Sequence, residues 1–501
     1  MTEPATVLAR CGPRRVAIVG GGITGLAAAH RLVELSASGG VSVDLILLEA
    51  GDRLGGTIAT EQTGGYLIEG GPDSFLTEKP WARALCDRLG LGQSLRPTRD
   101  VHRRTFLAHR GRLEPLPEGF QVLAPSRLGP VWRSPLLSWR GKLRMAMELV
   151  LPPGRERGDE SVGAFVARRL GGEALERIAQ PLVSAIYTGD PWAISLAATM
   201  PRFLEMERRH GSVIRTLRRT TDRRGRSASG PRWSMFVTLA GGMMDLVHAL
   251  GRRMPPGTVG LGRRVTSLAR PTGSLEWRVG LADGAAISAD GVILAVPAPA
   301  AARLLSDTDA ELSRMLDAIP YASSALVTLG YRAEAIGRLP DGFGFVVPER
   351  EGRTILACTF SSIKFADRAP EGDILLRVFI GGRRQQGLLG EDDTTLAAVA
   401  EREVKDLLAV SAAPRLVRVH RHPAAMPLYL VGHLKRAAAI RAQAAHHRGL
   451  ALAGNALGGV GLSDCVRSGE EAAERMLEAL HEDTSVRGQL PAVAGALGPV
   501  G

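Results

Sequence analysis

Arg15–Leu26 reads RVAIVGGGITGL, an apolar run that passes straight into glycines at a spacing suited to phosphate groups. That stretch decides the fold. Val16–Val19 supply a short buried strand, Gly20, Gly22 and Gly25 follow the pattern G-x-G-x-x-G, and Ile23–Leu35 carry apolar residues at helical spacing. Gly20 permits the tight turn, Gly22 admits a pyrophosphate against bare backbone, and Gly25 lets the helix lie close on the strand. The helix start, with Ile23 and Thr24 in its first turn, aims free N–H groups and the positive end of its dipole at the phosphates. A dinucleotide near the N-terminus is the implication.

In a chain with 60 glycines such a turn is a weak signal alone, and its context strengthens it. Val41–Leu48 form a second apolar strand ending in Glu49, where an acid accepts hydrogen bonds from ribose hydroxyls and disfavours a 2′-phosphate. Arg53, Leu54, Gly55 and Gly56 then make a second glycine turn, in which a cation and bare backbone meet the same pyrophosphate or the cofactor ring.

With 501 residues the chain needs two or three domains. Its four cysteines, Cys11, Cys86, Cys358 and Cys465, lie far apart with no C-x-x-C pair, so no metal site and no disulfide framework is expected. A reducing cytoplasm fits that usage. No apolar run approaches the roughly 18 residues of a membrane span, and the N-terminus has no basic segment ahead of an apolar one. The expected location is cytoplasmic, with a peripheral place on the cytoplasmic membrane left open.

The net charge of +12 comes from 63 Lys+Arg against 51 Asp+Glu, almost all of the cations being arginine. Arg202–Arg232 alone hold ten arginines. They suit anionic lipid head groups or a polyanionic substrate, or simply a solvated loop, which Thr221–Pro231 resembles in composition. Nucleic acid is not indicated, because only Phe203 and Trp233 accompany the cluster and no stacking platform is interleaved with it.

From Arg96 to about Arg209 the pattern is one of amphipathic helices broken at Leu151–Gly154 and at Gly171 and Gly172. Leu136, Leu137, Trp139, Leu143, Met145 and Met147 serve either a core or a bilayer surface. Leu239–Met243 start another helix. A meander of short strands (Arg264–Leu268, Leu275–Leu281, Ala285–Ser288) leads to Asp290–Pro297, a third continuous apolar strand of the parallel-sheet kind. Ala322–Gly330, Gly344–Val347, Thr354–Thr359 and Ile374–Ile380 predict a mostly antiparallel second sheet. Leu450–Ala453 return the chain to the first domain, ahead of a helix over Ser463–Leu480 and a tail from Pro491.

These motifs resemble those of the flavin-dependent porphyrinogen oxidases of haem biosynthesis, within the flavin amine oxidase superfamily. The likeness covers about residues 14–480. Beyond the two glycine turns it rests on Glu69–Leu76 (EGGPDSFL), similar to the family's E-x-G-P-[ND]-S-F, and on Ile186–Asp190 (IYTGD). It continues through Gly342, Phe343 and Gly344, through Gly454 and Asn455, and through Gly459, Val460 and Gly461. The implied architecture is α/β. A Rossmann-like FAD-binding domain comprises 14–65, 233–300 and 445–485. A mostly antiparallel-sheet substrate domain comprises 66–96 and 301–444, an inserted helical domain 97–232, and a tail 486–501.

The resemblance implies non-covalent FAD, with Gly22 and Arg53 on the pyrophosphate, Glu49 on the ribose and Val265 holding the adenine through its backbone. Gly70, Gly71, Pro72, Gly454, Asn455, Val460 and Gly461 complete the cradle. The helix beginning near Ser463 points its positive end at the ring edge that gains negative charge on reduction. The implied substrate is a porphyrinogen, protoporphyrinogen IX or coproporphyrinogen III, losing six electrons in three cycles with molecular oxygen as acceptor. Positioning supplies most of such catalysis, in keeping with the lack of a convincing catalytic His or carboxylate pair. Phe343, Val346, Phe365 and Phe379 fall where relatives place apolar walls, Gly189 lies in the IYTGD motif, and Lys79 stands where relatives carry a cation for a propionate. A ferrochelatase-type partner and a homodimer are left open.

One motif departs from the family. Its W-P-x-x-I-P-Q-Y-x-x-G-H segment appears as His422–His433, with His422 for Trp and Leu428 for Gln. His422 is then a structural replacement or a proton acceptor. Rival readings are a flavin amine oxidase, for which five Tyr and six Trp make an aromatic cage hard to assemble, a carotenoid-type desaturase, and a non-catalytic porphyrin-binding flavoprotein. Cys465, past the flavin motif, reads as a small buried residue rather than a covalent flavin link.

Overall fold

The computed structural model describes residues 13–39, 42–99, 104–154, 158–226, 235–271, 273–382 and 385–488. Arg14–Val19 lies in the middle of a five-stranded sheet ordered Val259–Gly260, Val43–Leu48, Arg14–Val19, Gly291–Leu294, Leu450–Leu452. Every neighbour in it is parallel, as continuous apolar strands buried on both faces require. One face carries the helices Ile23–Ala37, Met244–Arg252 and Leu462–Gly488 over a core that includes Leu26, Leu246 and Val466. The three-stranded meander and the helices Ala298–Leu305 and Ala310–Asp317 cover the other, around Trp277 and Leu305. The sheet therefore joins the N-terminus, the middle and the C-terminal part of the chain.

A seven-stranded sheet forms the second layer, ordered Leu416–Pro427, Tyr321–Arg332, Asp373–Gly381, Ala357–Phe360, Gly344–Val346, Thr105–His109, Arg112–Pro115. Only the pairing of Gly344–Val346 with Thr105–His109 is parallel. Helix Asp393–Leu408 packs one face through Leu396, Ala400 and Val404. The opposite face carries Leu107, Val346, Ala357 and Phe379 side by side in register and packs against the helical part of the chain.

The helices there start on serine caps. Ser138, Ser161 and Ser195 each accept from the N–H three residues on, at 3.0–3.1 Å. Their inner face is sealed by a buried ion pair, Arg169 to Glu148 at 2.5 Å. Glu148 also accepts from Val213 N at 2.7 Å and from Ser212 Oγ at 2.6 Å, so the charge is not left unpaired.

Several expectations require correction. The stretch after Arg96 is not wholly helical, since Thr105–His109 and Arg112–Pro115 form a hairpin in the seven-stranded sheet. Its turn residues Arg110 and Gly111 both have positive φ, 53° and 75°, the conformation a two-residue hairpin demands. Leu239 ends a strand, Phe236–Leu239, and the helix begins only at Met244. The segment read as a loop from Thr221 continues the helix Val213–Arg226; the rest of it, and the expected tail from Pro491, lie outside the described residues. The six apolar positions of the helical region divide: Leu136, Leu137 and Met145 are core, whereas Trp139, Leu143 and Met147 face outward.

The glycine turn meets its steric demands position by position. A Cβ on Gly25 would stand 1.9 Å from the Gly20 carbonyl oxygen, and one on Gly20, whose φ is 107°, would stand 2.5 Å from that of Ala295. Around Gly22 the same construction meets nothing within 4 Å. Gly25→Ala is therefore expected to cost most of the folded protein, while Gly22→Ala unfolds at the wild-type temperature but binds the dinucleotide at least tenfold more weakly. Thermal unfolding and cofactor titration of the two variants check the contrast.

Candidate active site

Gly22 caps the first helix without a side-chain bond, and no acid stands in that helix's first turn. Its leading N–H groups and positive end thus face the space that the missing Cβ leaves open. Glu49 reaches across the turn and accepts from Gly21 N at 2.6 Å and from Gly51 N at 2.7 Å. Two backbone donors hold the carboxylate at the end of its strand, with lone pairs left for ribose hydroxyls. Arg263 N donates to the Glu49 carbonyl at 2.8 Å, which brings the start of the meander, Val265 included, alongside.

Arg53 is engaged with its own turn. Its guanidinium donates to the Ile58 and Gly56 carbonyls, each at 2.8 Å, and so braces the second glycine turn from within. That turn docks on the first through Gly55 N to Gly21 O at 2.9 Å.

The distant glycine segment converges on the same place. Gly469 of the C-terminal helix packs so tightly on the first helix that a Cβ would stand 2.2 Å from the Thr24 carbonyl oxygen. Gly454, at φ 123°, has nothing within 4 Å of its absent Cβ, and the buried Ser463 hydroxyl has no partner. The residues present fit a flavin dinucleotide. Tyr429 ties the segment together: its hydroxyl donates to the Asn455 carbonyl and accepts from Gly459 N at 2.7 Å. Tyr429 also stacks on His433 at 3.9 Å, and burial lowers His433 to about 4. Cys465 is a poor nucleophile, since burial pushes its thiol up to about 11.

The Glu69–Leu76 segment crosses the seven-stranded sheet on the face opposite helix Asp393–Leu408. A Cβ on Gly71 would stand 1.8 Å from the Thr57 carbonyl oxygen, and one on Gly70 would strike the His420 ring at 2.4 Å. Pro72 leads to Asp73, which pairs with Arg377 at 3.0 Å and Lys364 at 3.1 Å. Burial pushes that carboxyl up, but the two cations outweigh it and hold Asp73 well below the usual carboxylate range. His422 Nε2 lies 2.7 Å from the Gly70 carbonyl. A carbonyl only accepts, so Nε2 carries the proton and His422 acts as a brace for the glycine segment, kept neutral chiefly by burial.

Val346 and Phe379 share one face of the sheet, two strands apart, and Arg377 lies 5.5 Å over the Phe379 ring. Phe343 is half-buried just ahead of its strand, between Gly342 and Gly344, where Cβ atoms would stand 2.4 and 2.2 Å from the Arg104 and Cys358 carbonyl oxygens. Phe365 is 1 % exposed and supports Lys364 and Arg368 at 4.9 and 5.8 Å from its ring rather than offering a wall of its own. Gly189 packs against Ile194 and Leu428, on the helical side. Lys79, its side chain 40% exposed, pairs with Asp464, the ammonium 2.5 Å from Oδ2.

The Asp73–Lys364–Arg377 cluster and the Tyr429 tie are absent from the sequence reading. The sequence carries one signal for the cluster, since Lys364 is one of only five lysines in a chain whose cations are otherwise arginine.

The model of the flavin-containing amine oxidoreductases matches residues 23–477. The chain belongs to this family. Its cofactor is accordingly FAD. Relatives include the coproporphyrinogen III oxidases of Propionibacterium freudenreichii, 36% identical over 92% of this chain and 90% of that one, and of Bacillus subtilis, 33% identical over 93% and 98%. Protoporphyrinogen oxidase 1 of spinach chloroplasts is 31% identical over 93% and 84%. Among solved structures, one from Exiguobacterium sp. 255-15, provisionally named a protoporphyrinogen oxidase, superposes with a TM-score of 0.83 at 31% identity, covering 93% of this chain and 99% of that one.

The neutral buried histidines make stability pH-dependent. The folded form of His433 titrates near 4 and an unfolded histidine near 6.5, so as pH falls between those values only the unfolded chain gains the proton. Stability is complete above about pH 6.5 and drops by about 1.4 kcal/mol per pH unit below it, with His420 and His422 adding to the loss. His433→Phe, which preserves a ring against Tyr429, is expected to flatten this slope in denaturant titrations between pH 7 and 5.

Proposed function

We propose that this FAD-dependent porphyrinogen oxidase acts on coproporphyrinogen III, with molecular oxygen as the final electron acceptor. FAD supplies the hydride-accepting ring, and the protein supplies position. Gly70, Gly71 and Pro72, braced by His422 and Arg377, form one wall; Val346 and Phe379 form an apolar face beside it that fits a macrocycle. The observation that carries the choice of substrate is the charge on that face: Lys364 and Arg377 against the single carboxylate of Asp73. A net cation suits the more anionic of the two porphyrinogens, which differ by two propionates. The names of the P. freudenreichii and B. subtilis relatives point the same way.

The division into an FAD-binding domain, a substrate domain and a helical domain is part of the same reading. Competitive turnover by purified holoenzyme tests it, with coproporphyrinogen III expected at least tenfold ahead in kcat/KM. Lys364→Met is expected to raise the KM for coproporphyrinogen roughly tenfold, the worth of one charge-assisted contact, and to change that for protoporphyrinogen little. Preference for protoporphyrinogen by the wild type would refute the assignment.

A peripheral membrane location has its own support. Trp139, Leu143, Met147 and Val150 are 69%, 57%, 50% and 80% exposed, at spacings of four, four and three along one helical face beside Arg140 and Lys142. Among the described residues no helix is long and apolar enough to cross a membrane. The expected result is cosedimentation with anionic but not zwitterionic vesicles, abolished by the pair Trp139→Ala and Leu143→Ala; equal binding by that variant would exclude this face.

A further inference from the structure

We propose that the Lys79–Asp464 ion pair sets the reduction potential of the bound flavin, Lys79 acting as counter-ion to a carboxylate built into the cofactor cradle. The inference rests on the reading that Gly454–Gly461 hold the flavin ring. Asp464 stands in the first turn of the helix Leu462–Gly488 and is 4% exposed. Its carboxylate lies directly against the glycine turn: a Cβ on Gly459 would stand 2.3 Å from its Cγ, and Gly461 N donates to Oδ2 at 3.3 Å. The adjacent Ser463 hydroxyl, on a residue 2% exposed, has no protein partner and marks the same turn as a ligand contact.

A helix start facing a group that gains electrons is favourable because its dipole is positive there. A buried carboxylate in the first turn cancels that benefit unless it is neutralised. Lys79 does so, its ammonium 2.5 Å from Oδ2, while Arg467 is more distant at 3.9 Å. The lysine arrives from a different part of the chain, on the residue that precedes the helix Pro80–Arg88, and its side chain is 40% exposed. Reduction of the flavin adds negative charge to the ring. Removing the cation therefore disfavours reduction, and removing the anion favours it.

The test compares Lys79→Met, Asp464→Asn and the double variant as FAD-loaded proteins, with potentials measured anaerobically against reference dyes at pH 8. Lys79→Met is expected to shift the equilibrium about tenfold toward oxidised flavin, about 30 mV for a two-electron couple. Asp464→Asn shifts it the other way, and the double variant returns close to wild type. The KM for porphyrinogen in Lys79→Met stays within twofold. An unmoved potential in fully loaded Lys79→Met overturns the proposal, and a raised KM beside it returns the lysine to a substrate carboxylate. Should Asp464→Asn fail to hold FAD, the surface variant Lys79→Met decides alone. Failure of the underlying reading looks different: a Gly461→Val protein that binds FAD as tightly as wild type would remove the ring from this turn.

Discussion

On the first helix, backbone meets backbone without side chains where Gly25 lies on the Gly20 carbonyl and where Gly469 lies on the Thr24 carbonyl, and the surrounding architecture depends on both contacts. The first contact fixes the angle at which the initial helix leaves the sheet. The second brings the C-terminal helix beside that helix, so that two helix starts point into one space. Nothing larger than hydrogen fits at either crossing. Close packing thus joins the two helices, hydrogen bonds of Glu49, Arg53 and Tyr429 hold the turns beside them, and the two halves cannot be shifted independently.

The substrate side follows a different logic. A broad sheet presents apolar residues in register, and the EGGPD segment lies across it with Gly70 under His420 and Gly71 against Thr57. Charge enters at one edge of this apolar surface, where Asp73 holds two cations in place. A carboxylate that organises cations does more than reduce their sum: it fixes where the positive potential falls. The scaffold itself tolerates wide change in sequence, since a UDP-galactopyranose mutase shares the fold with a TM-score of 0.69 at only 17% identity. The chemistry resides in what this face displays.

The parallel sheet was legible in the sequence because its strands are continuous apolar runs and its turns are glycine patterns with strict steric reasons. Gly22 stands at the start of the first helix and Glu49 at the end of the second strand, bonded back to Gly21. What was not legible depends on long-range encounters. Nothing local to Thr105–His109 says that it pairs with Gly344–Val346, and the short run passed for part of a helical region. Lys79 shows the same limit from the other side. Its place in a motif says nothing of its partner Asp464, which lies 385 residues further on, beyond the reach of any local pattern. His422, where the family motif has Trp, likewise finds a distant partner, its imidazole N–H donating to the Gly70 carbonyl.

The order of strands in the parallel sheet also governs how the chain comes into being. Arg14–Val19 is synthesised more than 400 residues ahead of the edge strand Leu450–Leu452 and of the helix that closes the cradle. At translation rates of about 5–20 residues per second, the glycine turn waits roughly 20–90 seconds for its other half. During that interval several strands of high β-propensity have no complete sheet to join, and FAD has no finished site. The nascent chain is exposed to aggregation through that interval, and the cofactor can stabilise it only once Leu450–Leu452 and the helix after it have emerged.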